Sequence, residues 1–202
     1  MDLKSTYNKI AEDWFRDHDA DTWWYSGTDK FLSLLPKDAT ILDIGCGAGQ
    51  KTRYISKKGY KVIGADFSEK MIEIAQKQAP EINFEVLDIY EIDKFHKTFD
   101  AIFAQAVLLH IPKARVEEVL LKIKSRLNQN GLLYIAVKAV RDDGIEEHTK
   151  QENDYGYKYE RFFSYYTMSE LEKYLSNLNM EVIWKTSTAS GHVEWLQIIG
   201  IL

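Results

Sequence analysis

Apolar residues recur along this chain in two alternating patterns. Short apolar runs at Thr40–Ile44, Lys61–Ala65, Asn83–Leu87, Phe99–Ala104 and Leu132–Val137 have the length and composition of strands. The segments between them have helical spacing. Val116, Val119, Leu120, Ile123 and Leu127 fall on one helix face, and Met71, Ile72, Ala75 and Ala79 on another. Continuously apolar strands separated by amphipathic helices predict a parallel sheet covered on both faces. Pro36 stands before a strand, Pro80 after a helix, and Pro112 where the first turn of a helix needs no N–H. Near the C-terminus, Thr167 and Glu170 form a capping box that opens a helix with Leu171, Tyr174, Leu175 and Leu178 on its buried side. Strands near Glu181–Lys185 and Glu194–Ile201 follow, joined by a loop over Thr186–His192 too short for a parallel crossover. The expected fold is therefore α/β: a Rossmann-like, doubly wound, seven-stranded sheet, mostly parallel with an antiparallel last strand, and helices on both faces.

Two segments flank this core. Residues 1–35 read as a helical N-terminal cap with Tyr7, Ile10, Ala11 and Trp14 on one face. Residues 138–166 are polar and tyrosine-rich without an obvious element, which predicts a lid or substrate segment, or disorder. The whole of 1–202 reads as one domain, a size that can bury a substantial core.

Composition narrows the partners. The net charge of −5 argues against binding nucleic acid, whose phosphates it would repel. A lone cysteine, Cys46, allows no internal disulfide and requires no oxidising compartment. Met1 to Asp21 contains no apolar signal core, and no apolar run approaches the ~20 residues that span a bilayer. The expectation is a cytoplasmic protein with no membrane segment. The histidines and the single cysteine lack metal-ligand spacing, so no metal site is expected.

The first strand runs into Leu42-Asp43-Ile44-Gly45-Cys46-Gly47-Ala48-Gly49, and a helix follows. Glycines in such a turn let backbone approach a ligand closely. A dinucleotide site calls for a third glycine at position 50, which is Gln50, and Asp43 places an acid near any diphosphate. A cationic ligand without phosphate suits the loop better. S-adenosylmethionine carries a sulfonium, an ammonium and a carboxylate. Asp43 is the candidate for its amine, and the helix start after Gly49 for its carboxylate. Asp66, at the end of the second strand and twenty-one positions after Gly45, is placed to accept ribose hydroxyls. Phe67 is the candidate neighbour of the adenine, and Asp88, followed by Ile89, the acceptor for its amino group.

This ordered set resembles the class I S-adenosylmethionine-dependent methyltransferases over roughly residues 38–202. The resemblance rests on Leu42 to Gly49, Asp66, Asp88, Phe99-Asp100-Ala101-Ile102-Phe103-Ala104 and Asn130-Gly131-Leu132-Leu133. Asn130 stands where many members have glycine, a departure that bears on turn shape. Ala106 to Pro112, Arg161-Phe162-Phe163, Tyr166-Thr167 and Glu194-Trp195-Leu196 look like the bacterial type 11/12, tellurite-resistance-like group. The resemblance implies a methyltransferase that uses S-adenosyl-L-methionine and releases S-adenosyl-L-homocysteine. It implies cofactor contacts at Asp43, Gly45, Gly47, Gly49, Asp66, Phe67, Asp88, Ile89 and Gln105.

Methyl transfer disperses the sulfonium charge, so positioning in a dry, aromatic site does much of the work. Tyr7, Trp24, Arg161 and Tyr166 are the candidate substrate contacts, and His110 the candidate base. Each has a plainer alternative. Tyr7, Trp14 and Trp24 can be packing residues, Arg161 can pair with Glu160 or another acid, and His110 can cap the following helix. Cytosine C5 methylation needs a cysteine nucleophile, and Cys46 lies inside the loop. The Asn/Asp-Pro-Pro-aromatic motif of nucleic-acid amino-methyltransferases is replaced by Ala104-Gln105-Ala106-Val107. The expected partner is therefore a small-molecule O, N or S acceptor. The alternatives are a protein or nucleic-acid methyltransferase, a non-catalytic binding module, and a nicotinamide oxidoreductase.

Overall fold

The computed structural model describes residues 2–202. Strands β1 (Thr40–Ile44), β2 (Lys61–Asp66), β3 (Asn83–Val86), β4 (Phe99–Gln105) and β5 (Leu127–Lys138) form the parallel part of a seven-stranded sheet. β8 (Glu181–Ser190) and β9 (Val193–Ile201) complete it, in the order β3-β2-β1-β4-β5-β9-β8. β9, the last strand in the chain, lies antiparallel to both β5 and β8. Helices α1 (Leu3–His18), α2 (Tyr25–Ser33), α3 (Gln50–Lys57), α4 (Glu69–Gln78), α5 (Lys113–Lys124) and α6 (Met168–Asn177) surround the sheet. The strand order reverses at β1, whose neighbours are β2 and β4. That reversal opens a crevice beyond the carboxyl ends of these strands, the usual ligand position in such sheets.

The period-2 alternation along the strands divides the core by face. Leu42, Ile44, Ile102, Leu133 and Ile135 pack under Val116, Leu120, Leu171 and Leu175 of α5 and α6. Ile41, Ala101, Phe103, Leu132 and Tyr134 pack on the opposite face under Phe31 and Ile55 of α2 and α3. Phe103 and Tyr134, paired in register, stack at 4.5 Å between ring centroids. The expected capping box is present: Thr167 Oγ1 accepts the Glu170 N–H, and the Glu170 carboxylate accepts the Thr167 N–H.

Three features differ from the sequence reading. Leu127 begins β5 instead of ending the preceding helix, because the chain turns through Ser125 to Arg126 and rejoins the sheet beside Phe99. The 186–192 loop shrinks to a tight turn at Gly191 and His192, since β8 and β9 stay paired up to Ser190 and Val193. Residues 138–166 contain an ordered antiparallel hairpin, β6 (Glu147–Glu152) and β7 (Tyr159–Ser164). Its β6 strand is almost wholly polar and mostly exposed, so it carries no alternation to read.

α1 crosses the crevice and is held both by an apolar cluster, in which Ala11, Tyr7, Trp14 and Phe15 pack with Ala48, Met71 and Ile74, and by polar contacts. Only Ile10 and Ala11 are fully buried in it. Asn8 donates to Glu69 at 2.9 Å and accepts from the Ser68 hydroxyl at 2.7 Å, and Lys4 pairs with Glu69. Among the described residues no helix is long and apolar enough to cross a membrane.

Candidate functional site

A cavity of about 590 Å³ lies at the crevice. Its floor is the loop after β1. Gly45 and Gly47 line it, and both have left-handed φ, +73° and +54°. The Gly45 and Cys46 N–H groups donate to the Ala65 carbonyl at 2.7 and 3.0 Å, which folds the loop back onto β2. A Cβ at Gly45 would sit 2.5 Å from Val107 Cβ, so this turn accepts only glycine. The Trp14 ring covers Gly47 from α1. Gly49 is different. It does not line the cavity, and its left-handed φ starts α3 while its Cα faces Ala75 and Phe84.

Asp66 ends β2 and lines the cavity. Its Oδ2 accepts the Gly47 N–H and its Oδ1 the Ser68 N–H, each at 2.9 Å. Burial pushes its carboxyl up to about 6, against the pull of those two backbone donors. Each oxygen keeps a lone pair for a ligand hydroxyl. Phe67, Asp88 and Ile89 line the same wall, and Asp88 Oδ1 accepts the Tyr90 N–H at 3.0 Å.

Asp43 is placed otherwise than the sequence reading expected. It is 1% exposed, lies behind the loop and does not line the cavity. Its Oδ2 accepts the Thr52 hydroxyl at 2.6 Å and so ties β1 to α3. Burial lifts it to about 6 as well. Lys51, in the first turn of α3, does reach the cavity wall, its ammonium depressed by burial and supported by Asp43. The sequence carried that signal two positions after Gly49.

Gln105, at the end of β4, is 2% exposed and lines the cavity. Neither its Nε2 nor its Oε1 has a hydrogen-bond partner. A buried amide without partners costs several kcal/mol unless a ligand satisfies it.

His110 lies in the turn after β4. Its Nδ1 is 2.7 Å from the Phe162 carbonyl, which can only accept, so Nδ1 carries the proton. Nε2 then accepts from the Tyr7 hydroxyl, also at 2.7 Å. Burial depresses the imidazole to about 3, outweighing the Phe162 carbonyl. A depressed folded-state value means that stability is retained above 6.5 and lost as pH falls from there toward 3. The histidine is expected to remain neutral and Nδ1-protonated from pH 5 to 8, as read from imidazole nitrogen chemical shifts. A titration midpoint near 6.5 would contradict this environment.

Tyr7 lines the cavity with its ring against Phe67 and His110. The other three candidate substrate residues do not line it. Trp24 is buried edge-on against Tyr25 and Tyr54, so it is a packing residue beneath the start of α2. Tyr166 donates to the Leu108 carbonyl at 3.0 Å and braces the turn that carries His110. Arg161 makes a two-pronged pair with Glu152 across the hairpin, at 2.5 and 2.8 Å. Trp14 also lines the cavity, as do Lys4, Thr149 and Phe162. Nothing in the sequence marked Thr149, because only the hairpin brings it there. Among the described residues, no group of His, Cys, Asp or Glu is arranged to hold a metal ion.

A family model described as a methyltransferase domain matches residues 12–184. A ubiquinone biosynthesis O-methyltransferase of Rhizobium rhizogenes is 28% identical over 134 residues, 64% of this chain and 52% of that protein. A trans-aconitate 2-methyltransferase of Variovorax paradoxus is 31% identical over 111 residues, 54% of this chain and 42% of that protein. The chain thus spans about half the length of the curated relatives it matches. Among solved structures, the Burkholderia thailandensis 1,6-didemethyltoxoflavin-N1-methyltransferase, with 1,6-didemethyltoxoflavin and S-adenosylhomocysteine bound, superposes with a TM-score of 0.78 at 17% identity. That alignment covers 98% of this chain and 86% of the other. An S-adenosylmethionine-dependent methyltransferase of Clostridium acetobutylicum superposes at 0.74, also at 17% identity, covering 97% and 98%. These likenesses show a shared fold.

Proposed function

The chain belongs to the class I methyltransferase family, and from that membership we propose that it binds S-adenosyl-L-methionine in the crevice and methylates a small molecule. The observation that carries this reading is the pairing of Asp66 with Gln105. One presents two carboxylate oxygens with lone pairs to spare, and the other an amide with no partner, in a single cavity. The residues fit the cofactor's chemistry. Asp66 receives the ribose diol, Phe67 and Ile89 flank the adenine, and Asp88 accepts from its amino group. The Gly45 and Gly47 backbone with Lys51 takes the amino-acid end. Bound there, the cofactor supplies an electrophilic methyl group on a sulfonium.

The chain's own part is placement and exclusion of water. Trp14 and Tyr7 close the cavity from α1, and Phe162 closes it from the hairpin. Tyr7 donates its hydroxyl hydrogen to His110 Nε2, which orients Tyr7 Oη to accept a hydrogen bond from a methyl acceptor. The acceptor's atom is O, N or S. The glycine loop, with an acid at its back and no third glycine at 50, disfavours a dinucleotide diphosphate. The acidic net charge disfavours nucleic acid. The unpaired Cys46 and the absence of any membrane-spanning helix among the described residues accord with work in the cytoplasm.

Calorimetric titration with S-adenosylhomocysteine and, separately, with NADH tests the reading. One S-adenosylhomocysteine per chain and no heat from NADH are expected. Preferential binding of NADH would overturn it.

A further inference from the structure

One lysine that does not itself line the cavity packs on Phe163, next in the chain to the cavity-lining Phe162. Lys138 ends β5 and is half-buried. Its Nζ lies 4.3 Å from the Phe163 ring centroid and 5.7 Å from that of Trp195. No carboxylate pairs with it among the described residues. The charged groups that act on it are Arg161, Glu152 and Lys150. Glu152 is already shared by Arg161 and Lys150, so three cations face one carboxylate. Arg161 Cζ is itself 5.1 Å from the same Phe163 ring, and the His110 ring is 5.0 Å away. Burial and the Arg161 charge together lower the Lys138 ammonium to about 8, which leaves it charged at neutral pH. A partly buried charge of this kind, without a carboxylate partner, is stabilised by an anion.

The strand register shows where that anion would lie. Gln105 on β4 pairs with Ala136 on β5, and Lys138 follows two residues on. Side chains repeat every second residue, so Gln105 and Lys138 share one sheet face, Lys138 being the nearer to the carboxyl edge. The buried Gln105 Nε2 has no hydrogen-bond partner, and Lys138 has no carboxylate partner among the described residues. β5 is two strands from β1, about 10 Å across the sheet, and so is separated from the glycine loop and Lys51 that take the cofactor's amino-acid end.

We infer that the methyl acceptor bears a carboxylate, held by the Lys138 ammonium with the Gln105 amide donating beside it. This rests on the methyltransferase reading for the word acceptor, and on the chain's own geometry for the anion. The body of the molecule lies against Tyr7, Phe162 and His110, whose rings suit an aromatic or flat apolar group.

Benzoate and benzamide share that shape and differ in charge. Titrated into protein saturated with S-adenosylhomocysteine, and into ligand-free protein, benzoate should bind at least about tenfold more tightly, the effect of one charged contact. Lys138→Met keeps the apolar stem and should abolish the preference, while Lys138→Arg should keep it. S-adenosylhomocysteine affinity should be unchanged in Lys138→Met, which also shows that the variant folds. Equal binding of the two probes, no benzoate binding, or a preference that survives Lys138→Met would overturn the inference. Lost S-adenosylhomocysteine affinity in Lys138→Met would overturn it too, by assigning the lysine to the cofactor's own carboxylate. If the wild-type protein binds no S-adenosylhomocysteine at all, the functional reading falls, and the comparison on ligand-free protein still decides the anion site.

Discussion

Asp66→Ala is expected to weaken S-adenosylhomocysteine binding by about 3 kcal/mol, on the order of a hundredfold in Kd. Two effects combine. The ribose hydroxyls lose a charged acceptor, and the Gly47 and Ser68 N–H groups lose theirs, which loosens the loop that must face the ligand. Folding stability at pH 7 should change far less. The folded-state value of this carboxyl is raised from 3.8 to about 6. Its stabilising contribution is therefore complete below 3.8 and lost as pH rises through 6, so at neutral pH the ionised group is already a burden on the fold. Calorimetry and thermal melts on one sample separate the two effects. An unchanged Kd would place the ribose elsewhere, and a collapse of Tm matching the loss of affinity would make Asp66 a structural residue.

Gly45→Ala should lower stability by roughly 2–5 kcal/mol, the sum of left-handed strain and a clash in a packed site. The added methyl carbon would lie 2.5 Å from both Val107 Cβ and Cγ2, and the root of that side chain cannot swing away. Val107 lines the cavity, so cofactor affinity should fall with stability. Gly156→Ala is the control. Its φ of +78° carries the same backbone penalty, with nothing within 4 Å of the new carbon. It should cost only about 1–2 kcal/mol and leave affinity intact. Urea denaturation of both variants measures the difference, and equal losses would show that the Val107 contact has no role.

The parts of the site that are legible in the sequence are those a single element determines. Asp66 and Asp88 follow strand ends, and the carboxyl edge of a parallel sheet brings them to one wall wherever the helices lie. The glycine turn is similar, since its spacing alone requires left-handed backbone. Aromatic and charged residues in the flanking segments are not decided that way. Tyr7 and Trp24 look alike as residues of the same cap, yet Tyr7 reaches His110 while Trp24 is sealed under Tyr54. Arg161 finds Glu152 only because β6 and β7 pair Lys150 with Arg161, which sets Glu152 diagonally across the hairpin. A polar strand leaves no hydrophobic alternation, so that register cannot be read in advance. His110 was legible as a candidate, but its state was not. Its tautomer depends on a carbonyl from residue 162 and a hydroxyl from residue 7.

The most direct test is a crystal structure of the protein with S-adenosylhomocysteine. The account predicts both ribose hydroxyls donating to the Asp66 carboxylate, the adenine between Phe67 and Ile89, and the sulfur directed toward the side of Gln105 and Tyr7. An adenosine lying outside this crevice, or a ribose with no contact to Asp66, would contradict it.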